Sequence, residues 1–198
     1  MRLLAMLGLG LALLVFPALA QTPGADQPAP GPRETAIFAG GCFWCVESDF
    51  EHLSGVIAAE SGYTGGTLHN PSYRNHEGHV EAVRVTYDPR RVSYAQLLNH
   101  FWRHHDPLDG GGQFCDRGPS YVAAIFVAPE QREAAELSMR ETERILGRTV
   151  ATQIRPIDRF WVAEDYHQGY YERNPIQYRL YRARCGRDRR VREVWGDH

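Results

Sequence analysis

The residues of this chain best equipped for chemistry are Cys42 and Cys45, in the stretch Gly40-Gly41-Cys42-Phe43-Trp44-Cys45. An apolar run, Ala36-Ile37-Phe38-Ala39, leads into the two glycines and reads as a short buried strand. After Cys45 the spacing of Val46, Glu47, Phe50 and Leu53 fits one face of a helix. Cys42 is thereby placed where a strand becomes a helix N-terminus. Unpaired backbone N–H groups and the positive end of the helix dipole favour a thiolate there. Glycines allow the turn and leave the sulfur uncovered. Phe43 and Trp44 supply an apolar wall. The C-x-x-C spacing also brings the Cys45 sulfur to the same side of the first helical turn, within reach of exchange.

The elements that position this sulfur follow from periodicity. Ile57 to Tyr63 reads as a strand, and Thr64 to Gly78 as a polar loop long enough to be functional. Val80 to Tyr87 reads as a strand stopped by Asp88-Pro89; Ser93 N-caps a helix running to about His104. Asp106 to Pro119 is a second long loop, and Tyr121 to Val127 a buried strand. Pro129 begins an amphipathic helix ending near Leu146, with Gly147 after its C-terminus. Val150 to Ile157 reads as a strand, Phe160 to Asp165 leads into a short helix near His167, and the tail beyond Asn174-Pro175 is irregular. Intermixed strands and helices indicate an α+β, two-layer domain with helices packed on a mixed sheet.

The first twenty residues read as a signal peptide: Arg2, an apolar core from Leu3 to Phe16, and Ala18-Leu19-Ala20 as cleavage site. That core is shorter than the roughly 20 residues of a membrane span. Export, to a periplasm, is the expectation, with no membrane span after cleavage. Residues 21–32 form a Pro/Gly/Ala linker expected to be disordered, and 33–198 a single catalytic domain with the irregular tail. The net charge is −2, and every basic side chain counted with lysine is an arginine. The arginine-rich tail reads as a solvated, salt-bridged surface rather than a nucleic-acid patch. Four cysteines (Cys42, Cys45, Cys115, Cys185) allow three disulfide connectivities, which sequence does not choose among. A monomer is expected, as no further apolar face is evident.

Candidate partners for Cys42 come from the loops: Tyr73 in the first, Asp116 in the second, Glu81 at a strand start and Tyr121 opening the strand after Pro119. On period alone Glu81 alternates with Val80 and Ala82, as a solvent-facing carboxylate would. The series GGCFWCVE (40–47), GYTGG (62–66), NPSY (70–73), GHVEAVRVTYDP (78–89), FWRHHDP (101–107), CDRGPSY (115–121) and AEDYHQGYYERNP (163–175) resembles the peptide methionine sulfoxide reductase A family, block by block and in order. The resemblance implies a ferredoxin-like α+β fold and reduction of the S epimer of methionine sulfoxide, peptide-bound or free. It implies Cys42 as nucleophile, Glu81 as proton donor, Tyr73 and Tyr121 as hydroxyls on the sulfoxide oxygen, and Asp116 as a supporting residue. Phe43 and Trp44 would receive the S-methyl group. Oxidised proteins or peptides would be the substrate, a thioredoxin-like dithiol the reductant, with no metal or organic cofactor.

The chain departs from that pattern in its cysteines. The glycine-rich tail that carries the resolving cysteine in many members is replaced by YRLYRARCGRDRRVREVW, with Cys185 alone. Cys45 stands where glycine is often found. Three schemes follow: Cys185, placed first, resolves Cys42; Cys45 does so; or Cys115 pairs with Cys185, structurally or as a relay. The rival activity is an exported C-x-x-C thiol-disulfide oxidoreductase, which leaves Glu81 and the tyrosine loops without a purpose. A cysteine peptidase lacks a histidine of distinctive context, and adjacent His104 and His105 point apart on a helix.

Overall fold

Alternation along the first strand explains how the molecule is layered. The computed structural model describes residues 31–196. The expected signal peptide and all but the last two residues of the expected linker lie outside them. In β1 (Glu34–Ala39), Ala36 and Phe38 face one side of the sheet and Ile37 and Ala39 the other, all buried. β1 is followed by α1 (Phe43–Glu51), β2 (Val56–Thr64), β3 (Val80–Tyr87), α2 (Tyr94–Trp102), a two-stranded ribbon of β4 (Gly112–Gln113) and β5 (Asp116–Arg117), and β6 (Ala124–Val127). Strands β6-β1-β3-β2 lie side by side, all antiparallel. With α1 and α2 they make the βαββαβ pattern of a ferredoxin-like core, as expected. Two short strands extend it: β7 (Gln153–Pro156), parallel to β6 after α3 (Arg132–Leu146), and β8 (Phe160–Val162), antiparallel to β2.

One face of the sheet carries the main core. Phe38, Val83, Val85 and Tyr87 pack with Phe50 of α1 and Leu97, Phe101 and Trp102 of α2. The opposite face buries Ile37, Val80, Ala82 and Phe126, partly beneath arginine stems: Arg84 lies over Phe160 and Arg155 over Phe126. Helix signals behave as the sequence indicates. Ser93 forms a capping box with Gln96, and Gly147 closes α3 at φ 63°.

The tail corrects the expectation of irregularity. After the four-residue α4 (Tyr170–Arg173), Pro175 opens α5 (Pro175–Cys185), Gly186 turns the chain at φ 70°, and α6 (Arg187–Trp195) follows. Their inward face holds few apolar residues, chiefly Tyr178 and Trp195, so no hydrophobic period marks them. Charged groups tie them down instead: Arg182 to Asp49 and Asp188, Arg187 to Asp49, Arg190 to Asp106. The salt-bridged reading of the arginine tail holds. A second correction concerns Tyr121, which ends a single 3₁₀ turn (Pro119–Tyr121) three residues before β6 rather than opening the strand. Among the described residues, no helix is long and apolar enough to cross a membrane.

Candidate active site

The turn between β1 and α1 depends on Gly41. Its φ is +85°, and a Cβ there would sit 2.5 Å from the Cβ of Gln113. Cys42 follows as the N-cap of α1, 6% exposed, as the sequence placed it. Its thiol differs from the expectation of a helix-stabilised thiolate. The first N–H of α1, on Phe43, donates to Glu81 Oε2 at 3.0 Å. Burial pushes the Cys42 thiol up, as do its neighbours Cys45 and Glu81. Desolvation is the largest influence on this thiol.

Glu81 is 2% exposed. It shares the helix-packed face of β3 with Val83, Val85 and Tyr87, so the period that suggests a solvent-facing carboxylate instead sends it inward. Burial raises its pKa to about 8, with Asp116 and Cys45 adding to the rise and the Phe43 N–H opposing it. At neutral pH it therefore carries its proton.

Two loops bring in the remaining polar groups. The 64–78 loop is pinned from within by buried His79, which meets Gly66 N at 3.3 Å and Leu68 O at 2.9 Å. From outside, Glu164 accepts from Tyr73 N (2.9 Å) and from Tyr63 Oη (3.0 Å). Tyr73 remains 41% exposed at the rim. In the second loop the buried Gln113 side chain bonds the Asp106 backbone in both directions, and β4–β5 then carries Asp116 to the site. Burial pushes up the Tyr73, Tyr121 and Asp116 side chains alike.

Cys42, Phe43, Trp44, Tyr73, Glu81, Asp116 and Tyr121 line one small cavity of about 50 Å³, together with Tyr181. Trp44 is held in place by stacking on Tyr170 (3.8 Å between rings, 9° between planes) and by donating from Nε1 to His167 Nδ1 at 3.0 Å. That bond requires a lone pair on Nδ1, so His167 is neutral with its proton on Nε2. Its ring also packs on Phe43 and Tyr73. An apolar wall, a thiol, three phenols and two carboxyls, Glu81 among them protonated, line one cavity. A polarised S–O group can be attacked at sulfur there while its oxygen is protonated.

The cysteines divide into two pairs. Cys115 and Cys185 form a disulfide closing a separation of 70 residues, while Cys42 and Cys45 are free and buried. Of the resolving candidates, Cys185 is thus engaged with Cys115, and Cys45 adjoins Cys42 within α1. Its hydrogen bond with Cys42 pulls the Cys45 thiol down, aided by Arg187 and Arg182.

Sequence reading missed Tyr181 and His167 as members of the site. Tyr181 sits in the arginine-rich tail, where no apolar period drew attention to it. For His167 a signal existed, since it lies inside the AEDYHQ block that resembles the family.

Comparison with known proteins agrees with this geometry. The family model described as peptide methionine sulfoxide reductase matches residues 34–198. The chain is 52% identical over 191 residues to peptide methionine sulfoxide reductase MsrA 2 of Caulobacter vibrioides, covering 93% of this chain and 97% of that one. Methionine sulfoxide reductase A of Corynebacterium diphtheriae superposes with a TM-score of 0.66 at 30% identity, over 75% of this chain and 78% of that one. Mxr1 from Saccharomyces cerevisiae in complex with Trx2 shares the fold at TM-score 0.52 and 23% identity, over 76% and 91% of the two chains. The chain belongs to the peptide methionine sulfoxide reductase A family, oxidoreductases that reduce methionine sulfoxide.

Proposed function

We propose that the protein reduces the S epimer of methionine sulfoxide, in oxidised proteins and peptides or free, through Cys42 and Glu81. The observation that carries the reading is a buried, protonated Glu81 on the same small cavity as the Cys42 sulfur. The substrate's methyl group enters against Phe43 and Trp44, and its oxygen meets the hydroxyls of Tyr73 and Tyr121. The Cys42 thiolate attacks the sulfoxide sulfur while Glu81 gives its proton to the oxygen. Transfer of that oxygen to the cysteine leaves methionine and a Cys42 sulfenic acid. Chirality at sulfur fixes which epimer presents its oxygen to the phenols when the methyl group faces the indole.

The sulfenic acid is resolved by Cys45. It is free and adjoins Cys42, and Arg187 and Arg182 favour its thiolate, so it attacks the sulfenic sulfur and expels water. A thioredoxin-like dithiol then reduces the Cys42–Cys45 disulfide, a partner of the class seen with yeast Mxr1. The leader expected in residues 1–20 supports work outside the cytoplasm, with a periplasmic dithiol as donor.

The test is direct. With dithiothreitol as reductant, the protein is expected to reduce an S but not an R methionine sulfoxide peptide. Cys42→Ser abolishes the activity, and Glu81→Gln slows it by roughly 10²–10⁴, the worth of a general acid. Disulfide mapping after one turnover shows Cys42–Cys45 with Cys115–Cys185 unchanged. Insulin disulfide reduction without sulfoxide reduction would mean a thiol-disulfide oxidoreductase instead.

A further inference from the structure

The reading above requires Cys42 as a thiolate, yet its buried surroundings favour the thiol. Resting on that reading, the question is where the proton goes. Six ionisable groups surround the sulfur: Cys45 from α1, Glu81 from β3, Tyr73 and Tyr121 from the loops, Asp116 from β5 and Tyr181 from α5. Glu81 already holds a proton and has another duty. The Tyr73 and Tyr121 hydroxyls are assigned to the sulfoxide oxygen. Tyr181 is different. Its side chain packs on the Cys42–Cys45 pair and lines the same cavity as the Cys42 sulfur, and its hydroxyl donates to Asp116 Oδ2. Its ring stands edge-on to Trp44, with centroids 6.0 Å apart and planes at 79°.

The chain of groups is Cys42 Sγ–H, Tyr181 Oη–H, Asp116 Oδ2. We propose that Tyr181 is a further catalytic residue, whose hydroxyl accepts the Cys42 proton as it passes its own to Asp116. The S–H bond breaks, one O–H bond is exchanged for another on Tyr181, and an O–H bond forms on Asp116. Tyr181 stays neutral throughout and ends by donating to the new thiolate. Proton balance holds over the step that follows. Asp116 has gained the thiol's proton, Glu81 has lost one to the sulfoxide oxygen, and solvent restores both carboxyls afterwards.

Two features equip the groups for this role. Asp116 is half-buried, which makes it a better proton acceptor than a solvated aspartate, and one carboxyl on the cavity thereby acts as base while the other acts as acid. The Cys115–Cys185 disulfide fastens the relay at both ends. Cys115 immediately precedes Asp116, and Cys185 lies four residues after Tyr181 on the same helix face.

Alkylation of Cys42 by iodoacetamide, followed against pH by mass spectrometry, reads thiolate formation without any sulfoxide and so stands apart from the proposed activity. The background is Cys45→Ser, which removes the competing thiol. Tyr181→Phe keeps the ring on Trp44 and is expected to slow alkylation at pH 7 at least tenfold and move its midpoint up by about a unit or more, tenfold being one unit. Asp116→Asn can still accept the Tyr181 hydrogen bond but takes no proton, and the same upward shift is expected. A midpoint unmoved by Tyr181→Phe overturns the proposal. So does a shift with Tyr181→Phe that Asp116→Asn fails to reproduce, since Tyr181 would then be a hydrogen-bond donor only. Should Cys45→Ser alone produce the whole shift, Cys45 is the base and the relay is wrong.

Discussion

Glu81 and Asp116 are two carboxyls on one cavity, separated in duty by their surroundings. Glu81 is sealed under α1 and keeps its proton to about pH 8, whereas Asp116 reaches the site half-buried from the β4–β5 ribbon. An acid must hold its proton to act, so Glu81 is active below that value and fails as pH rises through it. Single-turnover sulfoxide reduction is therefore expected to fall about tenfold per unit above pH 8. Glu81→Gln, slow everywhere, should lack that alkaline limb in the same stopped-flow measurement. Every cavity residue named from the sequence reached the cavity, because loop chemistry and the family-like blocks marked them. Glu81's burial was not legible, as β3 is apolar on both faces and the flanking Val80 and Ala82 point to the wrong one. Tyr181 was not legible either, because its partners Asp116 and Cys42 are 65 and 139 residues distant.

At the scale of elements, α1 is the piece on which the site is assembled, and Glu47 is its anchor. From the buried side of α1 its two oxygens accept from Ser61 Oγ on β2 and from Gly169 N before α4, each at 2.7 Å. Helix, sheet and the His167 segment thus meet at one carboxyl. Glu47→Ala strands two buried polar groups, and at about 1–3 kcal/mol for each the expected loss is roughly 2–6 kcal/mol. Urea denaturation at pH 6 measures it, below the value of about 7 to which burial raises Glu47, since the carboxyl's contribution is lost as pH rises through that value. Between β1 and α3, all elements but the short β4–β5 ribbon and the 3₁₀ turn at Tyr121 were legible because hydrophobic period and capping agreed, as in Ser93 with Gln96. Helices α5 and α6 were not, although Pro175 and Gly186 stood as ordinary boundary signals. Their cohesion comes from arginines paired with distant aspartates, and that pairing leaves no local period.

For the whole molecule, the joint between the two ends of the domain is Arg187. It is 2% exposed, donates to the carbonyls of Gly40 (3.1 Å) and His104 (2.7 Å), and faces Asp49. Arg187→Leu leaves two buried carbonyls without a donor and takes one of two arginines from the buried Asp49, which keeps Arg182. The expected loss is about 3–5 kcal/mol, read as a lowered thermal midpoint, and the Cys45 thiol should titrate higher without its guanidinium. The same contact bears on how the enzyme comes into being. Cys42 emerges early in synthesis, yet the arginine that braces its turn and the tyrosine beside it on the cavity wall follow 145 and 139 residues later. A growing chain carries the reactive sulfur long before it carries a finished site. Competence arrives only when the last helix docks, so a protein cut short at its C-terminus would bear the nucleophile without the means to use it.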